Sequence, residues 1–458
     1  MPQISKASQV ASLANDIVSV KDFGAVGDGV TDDTVAIQAA IDWVNNLGGG
    51  IVVVPRNIYL ASGIIIKGSV ALKGEGKNST IFKPSQTGYI FKLLSNHSEI
   101  HDVGFLHDRS FDCDAIVVES PLGPSEPNSI NRWNIIRNIH AYKIAGSVIR
   151  FNNTAWEQQV VNVMARACGN NVSLKADFHI VSVVTNSDAT NNITFRDCKS
   201  IFNHYKGFWA QGDSTLPIRK LRIEDCMFHG GTDENDLTTF PYPQIAFDFV
   251  ENYWLLNNNL TVGNSTVPNI SIAGSAGSKT ADGTISGNTI ASDGTSGTAI
   301  RLRDCIETNI GANFYNAYSS GLHLDIDATN ARVYVAKQFI QGNATFNITN
   351  AASDRFGYIL SSGVNNPVTV YNETLQTPTL LGVPKINGCV NWSKEAAVSG
   401  TATLTVTLPS TEPNTNYHVQ VTTNFNCGGA YVTGKTTTSF IVNFPITGTG
   451  VVFCLVTR

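Results

Sequence analysis

The sequence predicts an all-β protein in which a parallel β-helix lies between a short N-terminal arm and a C-terminal β-sandwich. Short apolar segments separated by Gly, Asn and Asp turns occupy about residues 60–350. A similar phrase recurs there at intervals typical of solenoid rungs. One amphipathic helical pattern precedes this region, and clearer strand alternation follows residue 385. These observations favour a solenoid with a capping helix and a separate C-terminal unit.

The composition limits the classes of partner and cofactor. Hydrophobic residues make up 42% of the 458-residue chain, which is too apolar for an intrinsically disordered protein. The net charge is −5 and no basic stripe is present, so nucleic acid is not expected as a partner. The 8 Cys form no CxxC pair. We therefore expect buried free thiols and neither a metal nor another cofactor.

The N-terminal residues 1–20 are polar and are interpreted as a flexible arm or docking segment. They contain no apolar run of signal-peptide length. No segment of the chain approaches the roughly 18 apolar residues that a membrane-spanning helix needs. We therefore expect no signal peptide, synthesis in the cytoplasm and no membrane insertion. Any extracellular role would need another exit route, such as cell lysis.

A capping helix is predicted directly after this arm. Residues 19–34 are rich in Gly and Asp, which favours tight turns, and Thr31 or Asp32 is the expected N-cap. The glycines after Leu47 end the helix, and residues 51–55 form a short strand. A helix here would cover the exposed strand edges at the open end of a solenoid. The apolar positions with helical spacing are Val35, Ile37, Ala40, Ile41 and Val44.

Five phrases define the predicted rungs. They are residues 193–198, 221–226, 255–259, 283–288 and 309–313, each closed by Cys or Asn. The steps between their central apolar residues are 28, 33, 29 and 25 residues, which fits rungs with variable turns. We expect the closing Cys and Asn side chains to stack from rung to rung. A β-sandwich or a propeller is the alternative. The central residues expected to form one column are Phe195, Ile223, Leu256, Ile285 and Ile310.

The chain is thereby divided into an arm (1–20), a β-helix with its capping helix (21–380) and a C-terminal β-sandwich (385–458). The last segment shows clear alternation over residues 402–408 and 439–444, among others. A unit of this small size favours oligomerisation. Locking of an oligomer and sugar binding are both open as its role.

The segment Val20–Thr34, followed by Ala36–Ile41, closely resembles the N-terminal segment of the pectate-lyase-like superfamily, which includes polygalacturonases and phage tailspike depolymerases. Residues 13–20 resemble the lead-in of phage tail proteins. The resemblance implies a right-handed parallel β-helix, a homotrimer and a carbohydrate substrate. It further implies a phage tailspike that acts as a capsular polysaccharide depolymerase. Such a protein is a component of the virion tail, and we expect residues 1–20 to attach it to the tail, the baseplate or an adaptor protein.

The sequence departs from one branch of this superfamily. No Gly-His-Gly element is present, and Arg222-Ile-Glu224 stands where polygalacturonases carry a basic element. Polygalacturonase activity is therefore not expected. No motif indicates a pectate lyase calcium site, which agrees with the expectation that the protein holds no metal.

The candidate catalytic residues follow from the chemistry of glycoside cleavage, which usually needs two carboxylates on one face. Neighbouring rungs lie about 4.8 Å apart, so acids on adjacent turns meet this requirement. The turn after Cys226 is long and acidic, which is typical of a site-bearing loop. The predicted catalytic residues are Glu234, Asp236, Asp233, Glu251 and His204. The predicted substrate-binding residues are Tyr205, Trp209, Arg219, Tyr253 and Trp254.

Less specific interpretations exist for these residues. An acidic loop is often only a solvated turn, and the aromatic residues suit packing within a rung. The region 107–114 with Glu119, and the pair Trp156-Glu157, are lower-ranked candidate sites. For β-elimination a Tyr, His or Lys base and a neutralising cation would replace the carboxylate pair.

Together these patterns predict a depolymerase that endo-cleaves a bacterial capsule, exopolysaccharide or O-antigen. Hydrolysis is favoured over β-elimination. The rival function is a non-catalytic tail fibre or adhesin that binds the same class of glycan. An esterase is disfavoured because no Gly-x-Ser-x-Gly segment occurs.

Overall fold

The structure is a computed structural model, in which the chain divides into two compact units. The first is Met1–Arg355 with Leu360–Thr374, and the second is Phe356–Ile359 with Leu375–Arg458. The residues that the structure describes are 17–120, 131–152, 155–182, 190–231, 241–262, 267–275, 277–278, 280–292, 298–316, 322–327, 329–330, 333–336, 338–340, 345–348, 356–357, 369–371, 392–408, 418–423, 426 and 428–457.

The first unit begins with a short strand and the predicted helix. Strand Ile17–Ser19 pairs in parallel with residues 51–53, so the end of the predicted arm is already part of the solenoid. A 3-10 helix, Val20–Phe23, follows, and the α-helix spans Thr34–Asn46. Its N-cap is Asp33, not the expected Thr31 or Asp32. The Asp33 carboxylate instead accepts hydrogen bonds from the amides of Val26 and Gly27, which fixes the preceding turn.

The helix buries one face, as its spacing predicts. Ile37, Ala40, Ile41 and Val44 are fully buried. Val35 is 82% exposed, which corrects its assignment to the apolar face. These four side chains on one side of the 13-residue helix pack it onto the solenoid, and burial of each Val or Ile side chain contributes about 1.5–3 kcal/mol.

The solenoid is a right-handed parallel β-helix with three columns of strands, here called sheets A1, A2 and B. The long strands Glu99–Leu106, Ile135–Tyr142 and Ala155–Arg166 run through both A1 and A2. Sheet A1 also contains Ile17–Ser19, Gly50–Val54, Val70–Gly74, Asn131–Arg132, Asn191–Arg196, Ile218–Glu224, Val250–Leu256, Thr280–Ser286, Cys305–Ile306, Asn309–Ile310 and Tyr334–Val335. Sheet A2 also contains Asp28–Asp32, Asn57–Leu60, Thr80–Lys83, Lys199–Asn203, Met227–Gly230, Asn259–Val262, Thr289–Ser292, Phe314–Asn316 and Phe339–Ile340. Sheet B contains Ile64–Ile66, Gly88–Leu93, Cys113–Glu119, Ile149–Asn152, Phe178–Val181, Phe208–Gln211, Ile245–Asp248, Pro268–Ala273, Thr298–Arg303, Leu322–Ile326, Thr345–Ile348 and Thr369–Tyr371.

The predicted apolar column exists, with one correction of register. Phe195 pairs with Ile223, and Ile285 pairs with Ile310. Between them stands Leu255, which pairs with Ile223 and Ile285, whereas the predicted Leu256 pairs with Glu224. Successive strand residues point to opposite faces, so this shift of one residue puts Leu255 inside and Leu256 outside.

A ladder of side chains follows this column, as the closing Cys and Asn residues predict. Asn258 and Asn288 each donate a hydrogen bond to the next amide oxygen of the ladder and one to a backbone carbonyl of the preceding rung. Cys226 occupies the same slot and accepts from the amide of Cys198. The third phrase contributes Asn258 rather than its final Asn259. The ladder runs through Cys198, Cys226, Asn258, Asn288, Asn313 and Gln338.

A left-handed residue precedes several of these ladder positions. Asp197, Asp225 and Asn257 have φ between 53° and 56°, and Gly287 has φ 72°. Asp, Asn and Gly are the residues that tolerate this conformation best. The recurring Asp-Cys, Asn-Asn and Gly-Asn pairs therefore encode the turn residue and the ladder residue together.

The second unit contains the antiparallel strands Trp392–Thr407, His418–Thr423, Tyr431–Thr433 and Ser439–Thr457, together with the short strand Phe356–Gly357. Its β-sandwich-like sheet packs around a core of its own, centred on Phe440, Val442 and Val452. Across the described residues of both units, no helix is both long and apolar enough to cross a membrane.

Candidate functional site

A cluster of aromatic, cationic and unpaired polar side chains lies on the outer face of sheet B. Phe178 and Phe208 point into the core, so the alternating positions His179 and Trp209 point outward. Parallel pairing aligns Arg150, His179, Trp209 and Ala246 on four successive strands. This group, with Lys175, Tyr205 and Lys206 from the adjoining turns, is called the sheet B cluster.

The rings of His179 and Trp209 form the centre of the cluster. They are stacked with centroids 4.8 Å apart and planes 7° from parallel. Trp209 Nε1 donates to Asp248 Oδ2 at 2.6 Å, which holds the indole in place. The small Ala246 follows Trp209 in the column and packs with Trp209 and Tyr205 in one buried group. Trp209 is 8% exposed and His179 is 3% exposed, so both lie at the bottom of the face.

Burial determines the charge state of His179. Burial and the nearby positive charges of Arg150, Lys206 and Lys175 lower the pKa of His179 to about 3. The imidazole is therefore neutral at physiological pH. Its Nε2 lies 3.4 Å from Gln211 Oε1. Its Nδ1 is buried and has no hydrogen-bond partner among the described residues.

Lys206 covers this ring pair. Its Nζ lies 3.5 Å from the Trp209 ring centroid and donates to the Tyr205 hydroxyl at 2.9 Å. Burial lowers the pKa of Lys206 to about 8, and the negative charge of Asp248 opposes that shift. Burial also raises the pKa of the Tyr205 phenol above its ordinary value. The Lys206 side chain is flexible, whereas Tyr205 and Ala246 also pack against the indole.

Acidic side chains hold one end of the cluster. Lys175 Nζ lies 3.0 Å from Asp112 Oδ1 and 3.1 Å from Asp114 Oδ1. Arg150 Nη1 lies 3.5 Å from Asp114 Oδ2, while its Nε has no hydrogen-bond partner among the described residues. Burial raises the pKa of Asp114, and the two cations act in the opposite direction. Asp114 comes from the lower-ranked region 107–114, which the fold thus brings to this site.

Asp177 lies directly before the strand that contains His179. It is fully buried, and burial raises its pKa to about 7 despite the hydrogen bond from Ser200 and the charge of Arg109. Ser200 Oγ donates to Oδ2 at 2.8 Å, and Oδ1 has no partner among the described residues. Asp177 is therefore poised to exchange a proton near neutral pH.

The predicted catalytic acids Asp233, Glu234 and Asp236 lie outside the described residues. The described segment that follows them reaches the cluster directly. The Tyr242 ring lies 4.6 Å from that of Tyr205. Gln244 Oε1 accepts a hydrogen bond from Asn203 at 3.0 Å. His204 lies in the turn before Tyr205, and its backbone amide donates to the Cys168 carbonyl at 2.8 Å.

The remaining predicted residues belong to a different sheet. Arg219, Glu251 and Trp254 are on the strands of sheet A1, whereas Tyr205 and Trp209 are at sheet B. Glu251 Oε2 lies 2.9 Å from Arg219 Nε, and Arg222 lies 5.1 Å from the Trp254 ring centroid. The fold therefore divides the single cluster expected from the sequence into two groups on separate faces.

The assignment of Tyr253 to substrate binding is wrong. Its side chain is fully buried in the solenoid core, and its hydroxyl lies 3.2 Å from Thr308 Oγ1. Tyr253 pairs with Leu221 and Gly283, both at inward-facing positions. A Cβ at Gly283 would lie within 2.4 Å of the phenol ring, so that glycine makes room for the ring.

Sequence reasoning missed His179, Asp177, Lys175 and Arg150. The signal available was the Lys-x-Asp-Phe-His spacing of residues 175–179, which puts three polar side chains next to an apolar strand. No group of three or more metal-binding side chains occurs among the described residues. What the site offers chemically is a neutral imidazole, a phenol next to an ammonium group, a titratable buried acid and an aromatic surface.

Comparisons with known proteins place this geometry in context. A family model described as rhamnogalacturonase A/epimerase, pectate lyase-like, matches residues 17–297. The A-module of mannuronan C-5 epimerase AlgE4 from Azotobacter vinelandii is similar with a TM-score of 0.57 and 17% identity, over 78% of this chain and 98% of that chain. The Dettilon tailspike protein is similar with a TM-score of 0.56 and 11% identity, over 98% and 95%.

A sequence relative has higher identity over a shorter segment. Alginate lyase 7 from Azotobacter vinelandii is 43% identical over 99 residues. That match spans 19% of this chain and 11% of the lyase. The structural similarities establish the shared fold. They do not assign an activity, since one fold hosts many activities.

Proposed function

The chain belongs to the rhamnogalacturonase A/epimerase, pectate lyase-like family, and from that premise we propose that it is a tailspike depolymerase that cleaves an acidic bacterial surface polysaccharide. The observation that carries the proposal is the sheet B cluster. It combines a sugar-stacking surface with cations and a neutral imidazole on one face of the solenoid. Similarity to a tailspike and to an alginate lyase supports both the setting and the class of substrate.

The aromatic surface accounts for binding. Sugar rings present apolar C–H faces that pack on indole and phenol rings. Once the Lys206 side chain moves, Trp209 and Tyr205 present such a surface. Arg150 Nε, which has no partner among the described residues, and the displaced Lys206 ammonium then bind the carboxylate of a uronic acid residue.

β-Elimination is the reaction that the described residues support best. His179 Nδ1 accepts the C5 proton, and the electron pair of the C–H bond forms the C4–C5 double bond. The C4–O bond breaks, and the leaving oxygen takes the proton of the Tyr205 hydroxyl, which Lys206 restores. A bound carboxylate raises the low pKa of His179 and so makes the imidazole a stronger base in the complex.

Hydrolysis, which the sequence favours, is the second candidate. Its support is the position of the described residues that follow the acidic segment, because the Tyr242 ring contacts that of Tyr205 in the cluster. Glu234, Asp236 or Asp233 would then supply the acid and the base or nucleophile. A non-catalytic adhesin would use the same aromatic surface without either reaction.

We propose a homotrimer in the virion tail, attached to the tail or to an adaptor protein through residues 1–20. Similarity to the Dettilon tailspike over 98% of this chain supports that setting. The homotrimer would then bind the glycan at the bacterial surface.

The experiment incubates the full-length protein with uronate-containing capsules from sensitive strains. Absorbance of the unsaturated uronate and new reducing ends are measured together. We expect both signals to increase, whereas reducing ends alone indicate hydrolysis. Binding without either signal indicates an adhesin and rejects the depolymerase.

Two variants assign the reaction to residues. Because general base catalysis contributes roughly 10²–10⁴-fold, His179→Ala should lower kcat by at least about 100-fold. The control His229→Ala removes a histidine on sheet A2 that contacts Phe202 and should leave kcat unchanged. Full activity of His179→Ala together with loss of activity in Glu234→Gln would transfer the chemistry to the acidic segment.

A further inference from the structure

A second concave site lies on the outer face of sheet A2, away from the sheet B cluster. It is a cleft of about 250 Å³ lined by Lys77, Asn78, Phe105, His140, Tyr142 and Arg166, among others. None of the lining residues belongs to the sheet B cluster. Pockets for drug-sized ligands measure roughly 300–1,000 Å³, so this cleft suits a ligand of about one sugar ring.

The strand register explains how the cleft forms. His140 pairs with Gly104 and Met164, and Tyr142 pairs with Leu106 and Arg166, so these side chains are stacked across three rungs. Gly104 contributes no side chain at the position facing His140. A Cβ there would lie 2.3 Å from the Lys77 carbonyl oxygen, so glycine allows that loop to close one wall.

The charge of the cleft is positive. Lys77 and Arg166 both lower the pKa of His140, in addition to the larger effect of burial. Both cations line the same cleft as His140. Its lining, taken from the described residues, contains no Asp or Glu. In a chain with net charge −5, such a concentration of positive charge favours an anionic ligand.

The imidazole adds a specific hydrogen-bond acceptor. His140 Nδ1 lies 2.9 Å from Asn78 Oδ1, and an amide oxygen only accepts, so Nδ1 carries the proton. Nε2 is therefore a bare acceptor. It is buried and has no partner among the described residues. A hydroxyl group of a ligand is the group that would satisfy it.

We infer that this cleft is a second carbohydrate site that binds one anionic sugar residue, such as a uronic acid. Lys77 and Arg166 hold the carboxylate, His140 Nε2 accepts a hydroxyl hydrogen, and the Tyr142 ring contacts the apolar face of the sugar. The site would anchor the glycan chain on a face remote from cleavage. This inference does not depend on the reaction proposed above.

The test titrates the full-length protein with D-glucuronate, and with D-glucose as the neutral probe, by ligand-observed NMR. The double variant Lys77→Ala/Arg166→Gln should weaken glucuronate binding by at least about tenfold, because each cation makes a charge-assisted hydrogen bond to the carboxylate. The matched control Lys73→Ala/Arg196→Gln removes two exposed cations of sheet A1 and should leave glucuronate binding unchanged. If the double variant does not fold, the single variant Lys77→Ala should also weaken glucuronate binding.

The outcomes separate the two sites. Glucuronate binding that persists in Lys206→Ala but falls in the cleft variant, with capsule cleavage retained by the cleft variant, supports the second site. Binding that falls only in Lys206→Ala overturns it, as does equal binding of glucose and glucuronate. A change in the mass of the cleft variant by light scattering also overturns it, because the cleft is then a contact with a second copy of the chain.

Discussion

Two buried titratable side chains, Asp177 and His179, set the electrostatics of the candidate site. Both are neutral over much of the acidic range because burial disfavours their charged forms. Their effects on stability have opposite signs. The unfolded chain releases the Asp177 proton near pH 4, whereas the folded chain keeps it to about pH 7. Stability attributable to Asp177 is therefore lost as pH rises between these values.

The contribution of His179 to stability has the opposite pH dependence. The unfolded histidine binds a proton below about pH 6.5, whereas the folded one does so only near pH 3. The unfolded state binds more protons in this window, so the stability attributable to His179 increases with pH. The two terms partly cancel in the wild-type chain, and a variant is needed to separate them.

Asp177→Asn isolates the Asp177 contribution. An amide keeps an acceptor for Ser200 and cannot ionise, so the variant should gain stability relative to wild type as pH rises from 4 to 8. A pKa shift from 3.8 to about 7 corresponds to at most about 4 kcal/mol. Thermal melting at both pH values measures the difference. The exposed Asp197→Asn serves as the control, and an equal change in Tm at both pH values would contradict the assignment.

The strand–turn units of the solenoid repeat one arrangement of backbone and side chain. A left-handed Asp, Asn or Gly turns the chain, and the following Cys or Asn enters the ladder inside. Each ladder Asn donates a hydrogen bond to a buried backbone carbonyl of a preceding rung. Its side-chain oxygen accepts one from the backbone amide of the preceding ladder residue. Because a buried polar group without a partner costs about 1–3 kcal/mol, the ladder specifies register as well as stability.

Asn288→Ala tests this ladder. The change removes the side-chain partner of the Leu255 carbonyl and of the Asn258 backbone amide, so we expect the free energy of unfolding to fall by about 2–4 kcal/mol. Asn288→Cys should cost less, because Cys226 occupies the equivalent slot. Thermal melting compares both variants with Asn171→Ala, an exposed position. Equal Tm values for Asn288→Ala and Asn171→Ala would show that the ladder carries no stability.

The two units of the chain contribute differently to the proposed tailspike. The solenoid holds the sheet B cluster, and the C-terminal unit has a small core of its own. A unit of that size gains stability from association, which supports its proposed role as the lock of a homotrimer.

Light scattering of the full-length protein should give three times the mass of the chain. Removing residues 385–458 should lower that mass to the monomer while the far-ultraviolet spectrum of the β-helix is retained. A truncated protein that stays trimeric would assign the trimer contacts to the solenoid and leave sugar binding as the role of the C-terminal unit.

The sequence by itself determined the fold, because its signals are local. The helix from Thr34, the turn and ladder pairs and the alternation of the C-terminal strands each depend on residues within one turn or strand. The register of strand pairing, in contrast, could be determined only from the structure. Leu255 and Leu256 are both apolar, and only pairing with Ile223 decides which of them faces the core.

The candidate site depended on the tertiary structure for the same reason. Asp114, Arg150, His179 and Trp209 are about 30 residues apart in the chain and meet only because parallel strands stack at about 4.8 Å. The lengths of the intervening turns vary, so linear spacing does not reveal which side chains align. The same stacking placed Tyr253 inside the solenoid and moved Glu251 to another sheet, because which face a side chain occupies depends on strand pairing rather than on chemical type.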